Sequence, residues 1–273
     1  MVNVNKYHGL GNDFVMVDYK DVSTCNHSQM AKKLCNRNTG IGADGLIIVK
    51  QDPLEMIYYN SDGSRAQMCG NGIRCFAKYV YDQGISYLKQ YDVVTLAGIM
   101  TVHITELTPF IVEVNMGYPD YDPLSIPLTL KDSQHQEFDF DGEVIQASSM
   151  LMGVPHTMTE VESFSITEMV RVGRLFESSH VFPEGTNLNF YQVLDRTTVK
   201  MQTFERGAGL TLACGTGACA TFAYLYKEDM IDNNCVLQLP LGELVIKEVD
   251  NDIFMSGPAE LVFKGTIDVE VYK

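Results

Sequence analysis

Two short glycine-rich segments built on cysteine constrain this chain more than any other feature. Cys69-Gly70-Asn71-Gly72-Ile73-Arg74-Cys75 is echoed by Cys214-Gly215-Thr216-Gly217-Ala218-Cys219, spaced by about half of the 273 residues. An echo at half the length suggests two similar domains, each donating the same substructure. The flanks agree. A β-like run and turn residues precede each copy, Met56–Tyr59 then Asn60–Ser64, and Val199–Phe204 then Glu205–Gly209. An apolar stretch of helical spacing follows each, Ile73–Tyr81 and Ala218–Tyr226. Both copies therefore read strand, loop, Cys-Gly-x-Gly, helix.

The remainder is rich in short β-branched runs: Gly45–Val49, Val93–Leu96, Phe110–Val114, Val236–Leu239, Leu244–Ile246 and Ile267–Val271. Many short strands with few helices predict an α+β class with largely antiparallel pairing. The segment Gly117-Tyr118-Pro119-Asp120 is the best crossing point between the halves.

Composition removes several function classes. With 45% hydrophobic residues and no long like-charge block the chain is not a disordered tail protein. Twenty basic against 35 acidic side chains give a formal charge of −15, opposite to what a nucleic-acid binder needs. The N-terminus has no signal-peptide pattern and no apolar run is long enough to cross a bilayer, so a cytoplasmic protein without a membrane partner is expected. Seven cysteines, an odd number, fit reduced thiols better than a disulfide framework. Of these, Cys25, Cys35, Cys235, Cys75 and Cys219 read as buried packing residues. The C-x5-C and C-x4-C spacings suit neither a zinc hook nor a C-x-x-C redox pair.

Cys69 and Cys214 are different. A thiol at the first turn of a helix meets unpaired N–H groups and the positive end of the macrodipole, which favour the thiolate. The flanking glycines let backbone approach a ligand, and the same N–H groups can hold a carboxylate. Two such thiols facing one small acid make a two-base racemase: one takes the α-proton from one face, the other returns a proton to the opposite face. Fixed N–H donors would stabilise the charge that develops on the carboxylate. No metal or pyridoxal is required.

At these residues the chain resembles the diaminopimelate epimerase family. The pieces run in order along nearly the whole sequence: Gly9–Phe14, Gly40–Gly45, Asn60–Ser64, Met68–Cys75, Glu205–Gly209 and Ala213–Ala218. The resemblance implies two pseudo-symmetric domains, 1–117 and 118–262, with residues 263–273 returning to the first. Each is a barrel-like mixed or antiparallel sheet around a central helix, with the site between them. It implies Cys69 and Cys214 as the acid–base pair, and Gly70, Asn71, Gly215 and Thr216 around the reacting carboxylate. Asn12, Asn60, Asn187, Glu205 and Arg206 would bind the remaining polar groups, Arg206 by a charge-assisted fork on the distal carboxylate. His156 with Glu205 would orient or deprotonate a thiol. The implied activity is cofactor-free interconversion of LL- and meso-diaminopimelate for lysine and cell-wall synthesis, by a homodimer acting on a small amino acid. Val154 and Leu210 stand where the family usually has asparagine and glutamate, and Gly45 where some members have glutamine. A racemase of another amino acid, or a non-catalytic thiol-based binding or redox-sensing protein, are the alternatives.

Overall fold

The computed structural model describes residues 1–268 and 270, and it divides into two units. Unit 1 comprises Met1–Val114 with the described residues from Gly257 on, and unit 2 comprises Asn115–Ser256. Both divisions fall ahead of the boundaries drawn from sequence, and hydrogen bonds explain why. The Asn115 side chain donates to Asp252 at 2.8 Å, Met116 N–H donates to Ile253 O and Ile253 N–H to Gly117 O, so this stretch belongs with unit 2. The Arg74 guanidinium donates to Pro258 O at 3.2 Å, which ties the chain after Gly257 to unit 1.

Unit 1 contains β1 (Val2–Gly9), β2 (Asn12–Asp18), the short helix α1 (Tyr19–Val22), α2 (His27–Leu34), β3 (Gly45–Gln51), β4 (Leu54–Asn60), α3 (Gly70–Asp82), β5 (Gln90–Thr95), β6 (Gly98–Leu107) and β7 (Phe110–Asn115). Unit 2 contains β8 (Gln136–Phe140), β9 (Glu143–Met152), β10 (Val154–Glu160), α4 (Ile166–Glu177), β11 (Asn187–Asp195), β12 (Thr198–Glu205), β13 (Gly209–Leu210), α5 (Gly215–Lys227), β14 (Cys235–Leu239), β15 (Gly242–Val249) and β16 (Asp252–Pro258). The last strand, β17 (Glu260–Ile267), pairs antiparallel with β1 in unit 1. In that pairing Val2 faces Ile267 and His8 faces Glu260, and of the run expected at Ile267–Val271 it includes Ile267. Val269 and the residues from 271 on lie outside the described residues.

Strand pairing makes the pseudo-symmetry explicit. In unit 1 the order β17-β1-β2-β3-β4-β5-β6-β7 has parallel pairs only at β2–β3 and β4–β5. In unit 2 the order β8-β9-β10-β11-β12-β14-β15-β16 has parallel pairs only at β10–β11 and β12–β14. The crossovers match too, because α2 and α4 follow the third strand of each order while α3 and α5 follow the fifth. Parallel neighbours require such crossovers.

Each sheet curls around one helix. α3 packs on β1, β2, β3, β6 and β17, and α5 on β9, β10, β11, β14 and β15. Both are buried nearly all round, Ile73, Cys75, Phe76 and Val80 in one and Ala218, Cys219, Phe222 and Leu225 in the other. A helix apolar on every side must be enclosed. Arg74 is the charged exception, fully buried within α3, and its guanidinium donates to the carbonyls of Pro258 and Gly70.

The outer helices went unread in the sequence. α2 places Met30, Ala31 and Leu34 on the apolar cluster of Val15, Val17, Leu46 and Ile48. α4 places Met169, Val172 and Phe176 on Leu188, Phe190 and Phe204. Gly173 lets α4 approach this closely, since a Cβ there would lie 2.3 Å from Phe204 Cγ. Gly173→Ala should gain about 1 kcal/mol of helix propensity, yet the buried Phe204 ring has little room to yield. Overpacking costs of about 1–3 kcal/mol are typical, so a urea melt should show a net loss of about 1–2 kcal/mol.

Candidate active site

Cys69 and Cys214 are the N-caps of α3 and α5, each in extended conformation with its carbonyl accepting the first helical bond, from Ile73 and Ala218. Cys69 is half-buried and Cys214 is buried. Their surroundings differ. Gly72 N–H donates to Cys69 Sγ at 3.4 Å, and Cys69 Sγ donates to Asn12 Oδ1 at 3.6 Å. Cys214 Sγ lies 3.6 Å from Thr216 Oγ1 in a contact where either can donate. Gly217 must lack a side chain, because a Cβ would sit 2.4 Å from Asn189 Oδ1, 3.0 Å from Thr203 Oγ1 and 3.2 Å from Cys214 Sγ. Gly70, Asn71 and Gly215 are buried in the first helical turns, where backbone N–H groups lack helical partners, and Thr216 is half-buried beside them. That is the apparatus for holding a carboxylate.

In unit 1, Asn12 opens β2 with its amide engaged at both ends. Nδ2 donates to Asp44 at 2.7 Å, and Oδ1 accepts from Asn71 Nδ2 at 3.1 Å. Behind it, Arg37 forks onto Asp13 at 2.9 and 3.2 Å, and Lys6 meets Asp13 at 2.7 Å. Burial acts to raise the Asp13 carboxyl, but the hydrogen bonds from Arg37 and Lys6 prevail and hold it below the usual carboxylate range. Asn60 ends β4 and donates to Ser64 Oγ at 3.0 Å within its turn. Gly45 admits no side chain, since Tyr58 Cε2 would lie 2.5 Å from its Cβ.

In unit 2, His156 is wholly buried in β10, opposite Asn187 of β11. Asn189 Nδ2 lies 3.2 Å from Nδ1 of His156 and equally far from Thr157 O, while Asn189 Oδ1 accepts from Thr203 Oγ1 at 2.9 Å. A carbonyl only accepts, so Asn189 turns its NH2 toward His156 and Nδ1 is an acceptor. The ring proton is then on Nε2, which has no hydrogen-bond partner among the described residues. Burial pushes the imidazole down to about 3, and the Arg206 charge adds to this.

Asn187 donates to Pro155 O at 3.2 Å and accepts from Arg206 N–H at 2.9 Å, so both ends of its amide brace backbone. Arg206 is exposed, donates to Glu184 O, and lies across Gly185, where φ is +73° and a Cβ would sit 2.6 Å from Arg206 Cδ. Glu205 accepts from Thr211 Oγ1 at 2.5 Å. Val154 opens β10 half-buried, and Leu210 packs against the cluster of Phe176, Phe190 and Phe204. Among the other thiols Cys35, Cys75, Cys219 and Cys235 are buried, whereas Cys25 is only partly so. It caps no core helix but sits in the turn after α1, packed against the unit 1 apolar cluster. Asp44, Asn189, Thr203 and Thr211 were missed as supporting residues; only Asp44, inside Gly40–Gly45, had a visible signal. Among the described residues no cluster of His, Cys, Asp and Glu could hold a metal ion, and no helix is long and apolar enough to cross a membrane.

Comparison with known proteins gives one answer. A family profile described as diaminopimelate epimerase matches residues 4–121 and 148–262. A diaminopimelate epimerase of Alkaliphilus metalliredigens is 41% identical, with 97% of this chain and 96% of that protein covered. That of Clostridium perfringens is 40% identical over 96% of this chain and 98% of its own. Among solved structures, a probable proline racemase from Agrobacterium radiobacter superposes with a TM-score of 0.73 at 12% identity, covering 100% of this chain and 94% of that one, a likeness of fold alone. By sequence over nearly its whole length, the chain belongs to the diaminopimelate epimerase family.

Proposed function

We propose that this protein is an isomerase that interconverts LL- and meso-diaminopimelate by two-base proton transfer between Cys69, Cys214 and the substrate α-carbon. The observation that carries the reading is the pair of cysteines capping two equivalent enclosed helices, in a chain about 40% identical to diaminopimelate epimerases. One cysteine as thiolate removes the α-proton and the other as thiol delivers a proton to the opposite face. The helix N-termini carrying Gly70, Asn71, Gly215 and Thr216 hold the α-carboxylate and stabilise the charge that builds on it. Arg206, Glu205 and Asn60 serve the substrate's distal carboxylate and ammonium. Asn12 and Asn187 support this arrangement, one beside a thiol and the other behind Arg206. The reaction uses the chain's own side chains, in a cytoplasmic homodimer whose thiols stay reduced.

His156 takes a defined part in this reading. With an imidazole titrating near 3 it is neutral at physiological pH and makes a poor base. Its Nε2–H, without a hydrogen-bond partner among the described residues, is a donor for orienting a thiol or substrate group rather than a base for deprotonating one.

NMR of α-proton exchange in D2O tests the activity, with LL- and meso-diaminopimelate beside glutamate, lysine and histidine. Exchange confined to diaminopimelate is expected. Cys69→Ala and Cys214→Ala should each lower it by about 10²–10⁴-fold, the usual share of one acid–base group. Exchange of another amino acid would move the substrate, and none at all with reduced thiols would favour a binding or sensing protein.

His156 also makes stability depend on pH. Its folded value lies below the unfolded one of about 6.5, so the unfolded chain binds the proton first as pH falls. The stabilisation is complete above pH 6.5 or so and is lost toward about pH 3, at about 1.4 kcal/mol per pH unit. His156→Gln should flatten the denaturation free energy against pH by that slope within this window; parallel curves would contradict a buried neutral imidazole.

A further inference from the structure

The direction of the Asn12 amide follows from its partners. Asp44 Oδ2, a carboxylate oxygen that only accepts, lies 2.7 Å from one end, so that end is the NH2. The other end, Oδ1, faces Asn71 Nδ2 and the Cys69 sulfur. An amide oxygen cannot donate, so its contact with Cys69 exists only while the sulfur carries its proton. Gly72 N–H reaches the same sulfur from the helix side, which a thiol accepts while donating to Asn12.

Asp44 is itself clamped. Oδ2 also accepts Asp13 N–H at 3.1 Å, Oδ1 accepts from Arg37 at 2.7 Å, and the Asp44 N–H donates to Asp13 Oδ1 at 3.0 Å. Rotating the Asn12 amide by half a turn would set its NH2 against the Asn71 NH2 and its oxygen against the Asp44 carboxylate. Both clashes oppose the flip.

The equivalent place in unit 2 is held by a valine. Phe14 faces Gly45 at the start of the β2–β3 pairing and His156 faces Asn187 at the start of β10–β11, so Asn12 and Val154, each two residues earlier, hold equivalent places. The side chain of Val154 offers no acceptor, and the hydroxyl of Thr216 can donate to Cys214.

We propose that Asp44 is a positioning residue that fixes Asn12 so that the ligand-free protein keeps the proton on Cys69. In a pair that needs one thiol and one thiolate, Cys214 then starts as the base. This rests on the reading of Cys69 and Cys214 as the acid–base pair.

The test needs no turnover. Full-length, ligand-free protein and its Asp44→Ala variant are treated with iodoacetamide, and alkylation is followed residue by residue by peptide mass spectrometry. In the variant, Cys69 should react roughly three- to tenfold faster at about pH 7, as expected for losing one hydrogen bond to the thiol. The ratio should shrink toward one at about pH 9.5, where the thiolate already forms in both proteins, and half-exposed Cys25 should be unaffected. A ratio that is the same at both pH values reports mere opening of the site and overturns the proposal, as does an unchanged or slower Cys69. Arg37→Ala, which removes the clamp on Asp44 at an exposed position, carries the same test with the same expectation if circular dichroism shows that Asp44→Ala does not fold. Wild-type protein inert in deuterium exchange would sink the epimerase reading and leave the alkylation result standing.

Discussion

Everything at the candidate site depends on a helix enclosed by its own sheet. α3 and α5 are buried on nearly every side, so their side walls offer little to solvent, and the N-terminus is the end at which cysteine, glycine and N–H groups without helical partners come together. Strand pairing with parallel steps at the same two places in both units is what lets eight strands wrap a helix in each. The glycines after each cysteine belong to the same constraint. Gly217 touches Asn189, Thr203 and Cys214 so closely that the helix could not seat with any side chain there.

Within that shared frame the two halves have diverged where chemistry asks for difference. A thiol–thiolate pair of the kind proposed for Cys69 and Cys214 would not be symmetric in its protons, although the folds around the two cysteines are. The first half surrounds its cysteine with an amide held by a carboxylate and an arginine; the second places valine at the equivalent position and a buried neutral histidine two residues on. The pseudo-symmetric position of Phe14 and His156 shows the same divergence, an aromatic packing residue in one unit and a hydrogen-bonding ring in the other.

Much of this was legible in the chain, because the cues were local. The Cys-Gly-x-Gly echo marked both central helices, and β-branched runs marked β3, β7, β12 and β14. The outer helices were harder: α2 spans only His27–Leu34 and carries three buried residues, too short a pattern to stand apart from a loop. Parallel pairing is a long-range property that no window of sequence contains. At the site, residue identities were readable but their partners were not. Asn12, Asn60 and Asn187 read as polar site residues, and which protein groups they meet was not legible: Asn187 reaches Pro155 and Arg206, Asn60 reaches Ser64 in its own turn, and Asn12 meets the Cys69 thiol. Likewise the packing of Leu210 on the Phe204 cluster and the closeness of Tyr58 to Gly45 were not legible.

The pairing of β17 with β1 has a consequence for synthesis. Unit 2 is one continuous stretch of chain and has all of its strands once Pro258, the last residue of β16, has emerged. Unit 1 begins first yet keeps β1 with a bare outer edge until Glu260–Ile267 arrives to cover it, and Arg74 waits as long for the carbonyl of Pro258. On the ribosome the second half is therefore free to mature before the first, inverting the usual order in which N-terminal domains fold ahead of C-terminal ones. During that interval the exposed edge of β1 is the place where a nascent chain would pair wrongly.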